Sequence, residues 1–442
     1  MTLLLAVVSP TAASAAPHAP ATERVSTAVD GSQADGSSGE AAISADGRHV
    51  AFVSRAASFG CAEFTPCLLE KDLGTGEVTR IDLGSGYQYG SPMLSADGSR
   101  VAFSAGTGSW RRTFYDRATG RAERLWPENP PGSNELGRAQ SISPDGTHVA
   151  YTIGNRAGSS NFRLLYVRDT ATGTDTLVSP AEEGDKNGVS VSGDGQKVAY
   201  GTRSDSETDP ADVFVRDRQT GERTQVDQGL GVAYLVRITA DGNRVLLDAE
   251  GGLYVHDLRT GTSRRVAEGR TQAATADGRY AVVAGEDGTR VRDLRTGLRG
   301  ADLAPYAIPG EEGLAAGGRA VAFASDASHL VTGDTNKAAD VFVFSGGLGR
   351  EPGPDAVRHR TDQHDAGRTA ARHRVPRPGH GGRTDRVLHV GRQRVRQRVR
   401  QGLPGQLQHP ETLGRGHTLH QRAHDRLRRT ARDRRCPRGL RP

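Results

Sequence analysis

The chain has 442 residues, enough for one to three domains and a sizeable core, with 5% aromatic residues and 57 glycines, a composition that suits many short strands and tight turns better than long helices. Its net charge of +6 is uneven: residues 351–442 hold 23 Arg, no Lys and 8 acidic residues, whereas residues 1–350 hold 35 basic against 44 acidic residues. The body is therefore mildly acidic and its charge gives no ground for nucleic-acid binding, and no run reaches the roughly 20 apolar residues of a membrane span.

In chain order, Met1-Thr-Leu-Leu-Leu-Ala-Val-Val followed by Ser-Pro-Thr-Ala-Ala-Ser-Ala-Ala-Pro reads as a signal peptide over residues 1–15, cleaved after Ala15, although its positive n-region is missing. A secreted or cell-envelope protein is expected, with residues 16–40 as a flexible linker. Cys61 and Cys67 share one loop, Cys-Ala-Glu-Phe-Thr-Pro-Cys. In an exported protein they are candidates for a local disulfide, with two reduced surface thiols as the alternative.

From residue 41 a paired motif recurs. Its first half is a small residue, Asp-Gly and a short apolar run: Ser44-Ala-Asp-Gly-Arg-His-Val-Ala-Phe52, Ser95-Ala-Asp-Gly98, Ser143-Pro-Asp-Gly146, Ser192-Gly-Asp-Gly195, Thr239-Ala-Asp-Gly242, Thr275-Ala-Asp-Gly278 and a degenerate Ala315-Ala-Gly-Gly318. The second half follows the first six, from Lys71-Asp-Leu-Gly-Thr-Gly76 to Arg292-Asp-Leu-Arg-Thr-Gly297. Asp-Gly accepts the positive φ of a tight hairpin, so each half reads as strand–turn–strand and each repeat as a four-stranded antiparallel sheet. Runs such as Val50-Ala-Phe-Val53 are apolar on both faces, which one sheet alone cannot bury and a ring of sheets can. The fold class is all-β, a β-propeller over residues 41–345, with about seven blades visible and possible room for an eighth in an intact gene.

Ser143-Pro-Asp-Gly146 and Asp212-Val-Phe-Val-Arg-Asp217 resemble the WD40-like repeat of TolB-type propellers, in the variant of secreted actinobacterial proteins. The resemblance covers about residues 41–345 and implies the propeller fold. It says little about activity, because the family is functionally mixed.

The pattern stops at Asp340-Val-Phe-Val-Phe-Ser345, where Asp is due. Residues 351–442 contain no Ser, Lys, Asn, Ile, Phe, Tyr, Trp or Met, and hold 9 of the 14 histidines. Codon degeneracy in a shifted frame lets His380-Gly-Gly-Arg-Thr-Asp385 encode Thr-Ala-Asp-Gly-Arg, and Arg396 to Leu403 encode Asp-Asn-Val-Phe-Val-Lys-Asp. Residues 346–442 are therefore read as a disordered, out-of-frame Arg/His-rich tail, the rival being an Arg/His arm for anionic surfaces. With an end blade lost, imperfect closure or aggregation is expected.

Catalytic motifs are missing: there is no Gly-x-Ser-x-Gly, His-Glu-x-x-His or Cys-x-x-Cys, so the chain is expected not to be an enzyme. The repeated Asp residues are assigned to turns, and His49 and His148, which share one position after the turn, to solvated hairpins. Two acidic loops, with Asp205 and Asp209, and with Asp334, Asn336 and Asp340, offer oxygen ligands for Ca²⁺, against a reading as solvated loops. Trp110, Phe114 and Tyr115 form either a contact patch or core. No catalytic residue, cofactor or nucleic-acid partner is expected. The expected function is a monomeric, non-catalytic scaffold binding a protein, peptide or glycan on one face, through the loops joining the second and third strands. A propeller-scaffold lyase or hydrolase, recognisable by perturbed carboxylates in the central channel, and a product without function are the alternatives.

Overall fold

The computed structural model describes residues 20–346, apart from residues 82, 84–86, 107–109, 129–136, 155–162, 181–182, 204–211, 287 and 305–306. The fold begins with a strand that the repeat pattern does not contain, β1 (Ala21–Arg24). Blade 1 is β2 (Ser38–Ile43), β3 (His49–Ser54), β4 (Cys67–Asp72) and β5 (Val78–Arg80), and blade 2 is β6 (Gln88–Leu94), β7 (Arg100–Gly106), β8 (Trp110–Asp116) and β9 (Arg121–Arg124). Blade 3 holds β10 (Ala139–Ile142), β11 (His148–Gly154), β12 (Arg163–Asp169) and β13 (Thr174–Ser179). Blade 4 holds β14 (Asp185–Val191), β15 (Lys197–Arg203), β16 (Asp212–Asp217) and β17 (Arg223–Gln225). Blade 5 follows with β18 (Tyr234–Ile238), β19 (Arg244–Ala249), β20 (Gly252–Asp257) and β21 (Thr262–Ala267), and blade 6 with β22 (Arg270–Ala274), β23 (Tyr280–Gly285), β24 (Gly288–Asp293) and β25 (Arg299–Asp302). The chain then supplies β26 (Ile308–Leu314), β27 (Ala320–Ser325) and β28 (Asp340–Ser345).

Each blade pairs its strands in sequence order, and the seventh takes β1 as its fourth strand, in the order β1-β28-β27-β26. The molecule is a seven-bladed all-β propeller. Residues 21–24, assigned to a linker from sequence, are thus structural. The expected imperfect closure is corrected in the same stroke: Ala21 pairs with Ser345 and Arg24 with Phe342, which covers the edge of β28 that would otherwise be exposed.

The hairpin turns behave as their chemistry dictates. Asp46 Oδ1 accepts hydrogen bonds from Ser44 Oγ at 2.5 Å and Arg48 N at 2.9 Å, with Gly47 at φ 77°. In the second half-motif, Asp72 Oδ1 accepts from Gly74 N and Thr75 N at 2.8 and 3.1 Å. Turns of neighbouring blades are also tied by backbone hydrogen bonds, Asp46 N to Ala96 O, Ala96 N to Pro144 O and, between the last and first blades, Ala316 N to Ala45 O at 2.9 Å.

His49 departs from the solvated reading. It is 6% exposed, its Nδ1 lies 2.7 Å from Glu70 Oε1, and its ring packs so tightly on Gly98 of the next blade that a Cβ there would lie 2.5 Å away. The side chain after the turn points along the seam between blades rather than outward. Phe114 and Tyr115 are core residues, 5% and 9% exposed; the side chain of Trp110 lies outside the described residues.

The core lies in seven seams. Along β3, Val50 and Phe52 join a cluster with Ala322 and Val341 of blade 7, while Ala51 and Val53 join Leu94, Val101 and Phe103 of blade 2. Period-two alternation thus divides one strand between two cores.

Ring closure is polar as well as hydrophobic. Asp340, fully buried, accepts from Ser26 Oγ at 2.6 Å and pairs with Arg24 Nε at 3.3 Å. Lys71 of blade 1 donates to Val25 O and Thr27 O, both at 3.1 Å. Desolvation on burial holds the Lys71 ammonium below its ordinary range. Asp340→Ala removes one of the two carboxylates facing the largely buried Arg24, leaving Asp334, and takes away the acceptor of Ser26 Oγ, so a loss of about 1–3 kcal/mol is expected in urea unfolding, whereas a chain ending at Gly346 should keep the full-length midpoint. A midpoint that falls on truncation, or is indifferent to Asp340→Ala, would contradict this closure.

Candidate functional site

The first strand of every blade faces the axis, and each carries a β-bulge at the same level. Register with the second strand jumps between Gly39 and Ala42, Gly90 and Met93, Ala139 and Ser141, Asn187 and Val189, Leu235 and Arg237, Thr271 and Ala273, and Pro309 and Leu314. A bulge leaves residues outside the ladder and re-aims them. The residues so displaced include Glu40, Ser91, Gln140, Gly188, Val236, Gln272, Glu311 and Glu312, and all of these line one central cavity of about 1900 Å³.

The cavity is graded. Val232, Tyr234 and Ile308 form an apolar rim, 49%, 51% and 70% exposed. Blades 5 and 6 join their second and third strands through only two residues each, Glu250 and Gly251 in blade 5, so the wall is low on that side. Deeper in, Arg237 on β18 reaches past blade 6 to blade 7: its Nη1 donates to Ala274 O and lies 3.4 Å from Glu312 Oε2. The Arg237 side chain is 12% exposed and that of Glu312 27%.

Blade 7 has the longest bulge. Gly310 and Gly313 flank Glu311-Glu312, and neither has room for a side chain: a Cβ on Gly310 would lie 2.5 Å from Ala41 O, and one on Gly313 2.7 Å from Ala322 O. Glu40 and Ser91, the bulged residues of blades 1 and 2, hold left-handed backbone at φ 51° and 52°, which is uncommon outside glycine. Ser91 N donates to Glu40 Oε2 at 2.6 Å.

Two cavity carboxyls are perturbed. Glu311 is open to channel water yet enclosed by protein on most sides. Desolvation pushes its carboxyl above the ordinary value of 4.5, the Glu312 charge adds to this, and Arg237 opposes it. Burial also raises Asp248, which accepts from Thr271 N and Oγ1 at 2.9 and 2.7 Å.

The sites picked from sequence lie elsewhere. Asp205 and Asp209 fall outside the described residues. Asp334 and Asp340 face the Arg24 guanidinium at 3.5 and 3.3 Å, and Asn336 Nδ2 donates to Ala34 O and Asp340 Oδ2, so this loop serves ring closure. Among the described residues no group of three or more His, Cys, Asp or Glu side chains is placed to hold a metal ion. Cys61 and Cys67 are disulfide-bonded, with Cα atoms 5.5 Å apart, in a loop whose tip carries Phe64, 86% exposed.

No family model and no curated protein matches the chain. Solved structures do. An oligogalacturonate lyase in complex with manganese superposes with a TM-score of 0.53 at 14% identity, over 74% of this chain and 93% of that one. TolB from Acinetobacter baumannii aligns at 22% identity over 53% of this chain and 55% of that one, TM-score 0.34. An acylaminoacyl peptidase from Pyrococcus horikoshii aligns at 13% identity over 69% and 52%, TM-score 0.45.

The likeness to the lyase is one of fold, but it overturns the expectation that the chain is not an enzyme. That expectation rested on missing nucleophile motifs, and a ring of this architecture serves an enzyme. The channel also holds perturbed carboxylates, the feature named beforehand as favouring catalysis. The motif Asp residues remain turn residues; of the channel acids, Glu40 lies six residues before Asp46, and Glu311 and Glu312 lie six and five before Gly317, which stands where the other repeats have Asp.

The sign of the Glu311 shift makes a prediction. A folded-state value above the ordinary one means the folded chain binds the proton more tightly, so the penalty is absent at low pH and grows as pH rises through that window. Glu311→Gln is expected to match the parent melting temperature near pH 4 and exceed it near pH 8. A variant less stable than the parent at the higher pH would show that the Glu311 charge is satisfied within the fold.

Proposed function

We propose that the chain is an exported propeller that binds a protein, peptide or cell-wall glycan on the face bearing the connections between second and third strands, drawing an extended part of it into the central channel. The cavity carries this reading. At about 1900 Å³ it is larger than the roughly 300–1,000 Å³ of small-metabolite pockets, and its apolar rim with a polar interior suits a chain-like ligand that is both stacked and hydrogen-bonded. Gln140 and Gln272, at equivalent bulges of blades 3 and 6, offer amides to such a ligand, and Tyr234 an aromatic face. Export is supported by the N-terminal apolar run and the Cys61–Cys67 disulfide.

A second reading shares the site. Glu311 holds its proton to higher pH than an ordinary glutamate and sits beside Glu312, a pairing able to divide acid and base roles in a hydrolase or lyase reaction. Ligand arrays of peptides and cell-wall glycan fragments, followed by calorimetry on the hits, test both readings. Gln140→Trp, which fills the channel from a partly exposed position, should weaken binding at least tenfold; unchanged affinity would remove the channel from the function. If the bound ligand is also converted, Glu311→Gln should abolish turnover while retaining binding.

A further inference from the structure

We propose that the chain pairs with a second copy of itself through blade 1, each copy inserting Phe64 into an apolar hollow on the other. This pairing is independent of the channel reading and departs from the monomer expected from sequence.

Phe64 stands at the tip of the connection between β3 and β4 and is 86% exposed. Three ties hold it there. The Cys61–Cys67 disulfide closes the loop at its base, and Ala62 and Thr65 exchange backbone hydrogen bonds of 3.1 and 3.0 Å across the tip. Gln88 Nε2, from blade 2, donates to Phe64 O at 3.2 Å. A loop fixed in this way does not fold its apolar side chain down onto its own surface, so another molecule must take the ring out of water. An aromatic already held in place also gives up little conformational freedom on binding.

The same loop carries the complementary hole. Ala28, Val29, Phe59, Leu69, Val78 and Arg80 line a hollow of about 240 Å³, smaller than the roughly 300–1,000 Å³ of metabolite pockets and suited to one side chain. Its wall continues into the hydrophobic core between blades 1 and 7, to which Leu69 belongs and against which Phe59 and Val78 pack. Val29, at its lip, is 73% exposed. Arg80 Nη1 donates to Gly60 O at 3.5 Å, which joins the hollow to the base of the Phe64 loop.

Charge selects the occupant. Glu63, beside Phe64, is an exposed carboxylate 4.0 Å from Arg55 Nε, and Arg80 places a guanidinium at the edge of the hollow. An incoming Phe64 brings its Glu63 toward that guanidinium, so the tip of one copy matches the hollow of another in shape, polarity and charge. Knob and hole lie close together on one blade. A two-fold axis therefore lets both contacts form at once and closes the assembly at two copies. Two such contacts fall short of the roughly 1,000 Å² of a stable interface, so the pairing is weak and reversible.

Sedimentation equilibrium on the full chain over about 1–300 μM, the range of weak pairs, should show a reversible monomer–dimer equilibrium. Phe64→Ala and Val29→Glu, both at exposed positions, should each weaken it at least tenfold while keeping the parental melting temperature. Mixed together, these two variants should bind each other more tightly than either binds itself, because the first keeps the hole and the second the knob. A parent chain that stays monomeric throughout the range overturns the proposal. Dimerisation that survives either substitution, or a mixture that recovers nothing, places the contact elsewhere and overturns it equally. Growth beyond two copies shows a head-to-tail contact and rejects the two-fold pairing.

Discussion

Everything in this molecule follows from the two-sidedness of the second strand in each blade. Side chains alternate across a strand, so a strand apolar at every position must be covered on both faces. In β3 this places Val50 and Phe52 in one seam and Ala51 and Val53 in the next. No blade has a core of its own. Each seam is shared, and the only arrangement that leaves none open is a closed ring. The axial channel is a geometric by-product of that requirement, and the side chains placed in it are free of the packing that fixes the seams.

That division of labour explains what could be read from the residues. Strand, turn and blade were legible because the same constraints recur in every repeat: Asp accepting from the turn backbone, Gly at positive φ, and an apolar run with no polar face. The channel was not, because its residues sit where the repeat is least constrained. At one bulge level stand Glu40, Ser91, Gln140, Gly188, Val236, Gln272 and Glu311-Glu312, in which Glu and Gln recur at some blades but no single residue type repeats around the ring, so they form no motif. A trace was present in Gly310-Glu-Glu-Gly313: two glycines bracketing two acids at the start of a blade. Its meaning needs the carbonyls of Ala41 and Ala322, which lie far away in sequence.

Two further misreadings have the same origin. His49 was assigned to solvent from its place after a turn, but the direction it faces is set by the next blade, whose Gly98 forms its floor. The acidic loop with Asp334 and Asp340 suggested a cation site, and a cation is there, but it is the guanidinium of Arg24 from the opposite end of the chain. Imperfect closure was likewise expected from a lost end blade, although Ala21–Arg24 completes the seventh blade and closes the ring.

The pairing of Ala21 with Ser345 also sets a timetable. Among the strands of the propeller, the one that seals the ring is made before all the others and the one that receives it after them. Blades built from local hairpins can form as they emerge, while sealing waits on a contact between distant parts of the chain and is entropically the most expensive of all. Until then the first and seventh blades present raw flanks, the stage at which such chains are exposed to mispairing with one another. Arg24, Ser26 and Lys71 act at that final moment, and their polar bonds reward the correct pairing of the two ends of the chain over any other strand that might settle on the edge of β28.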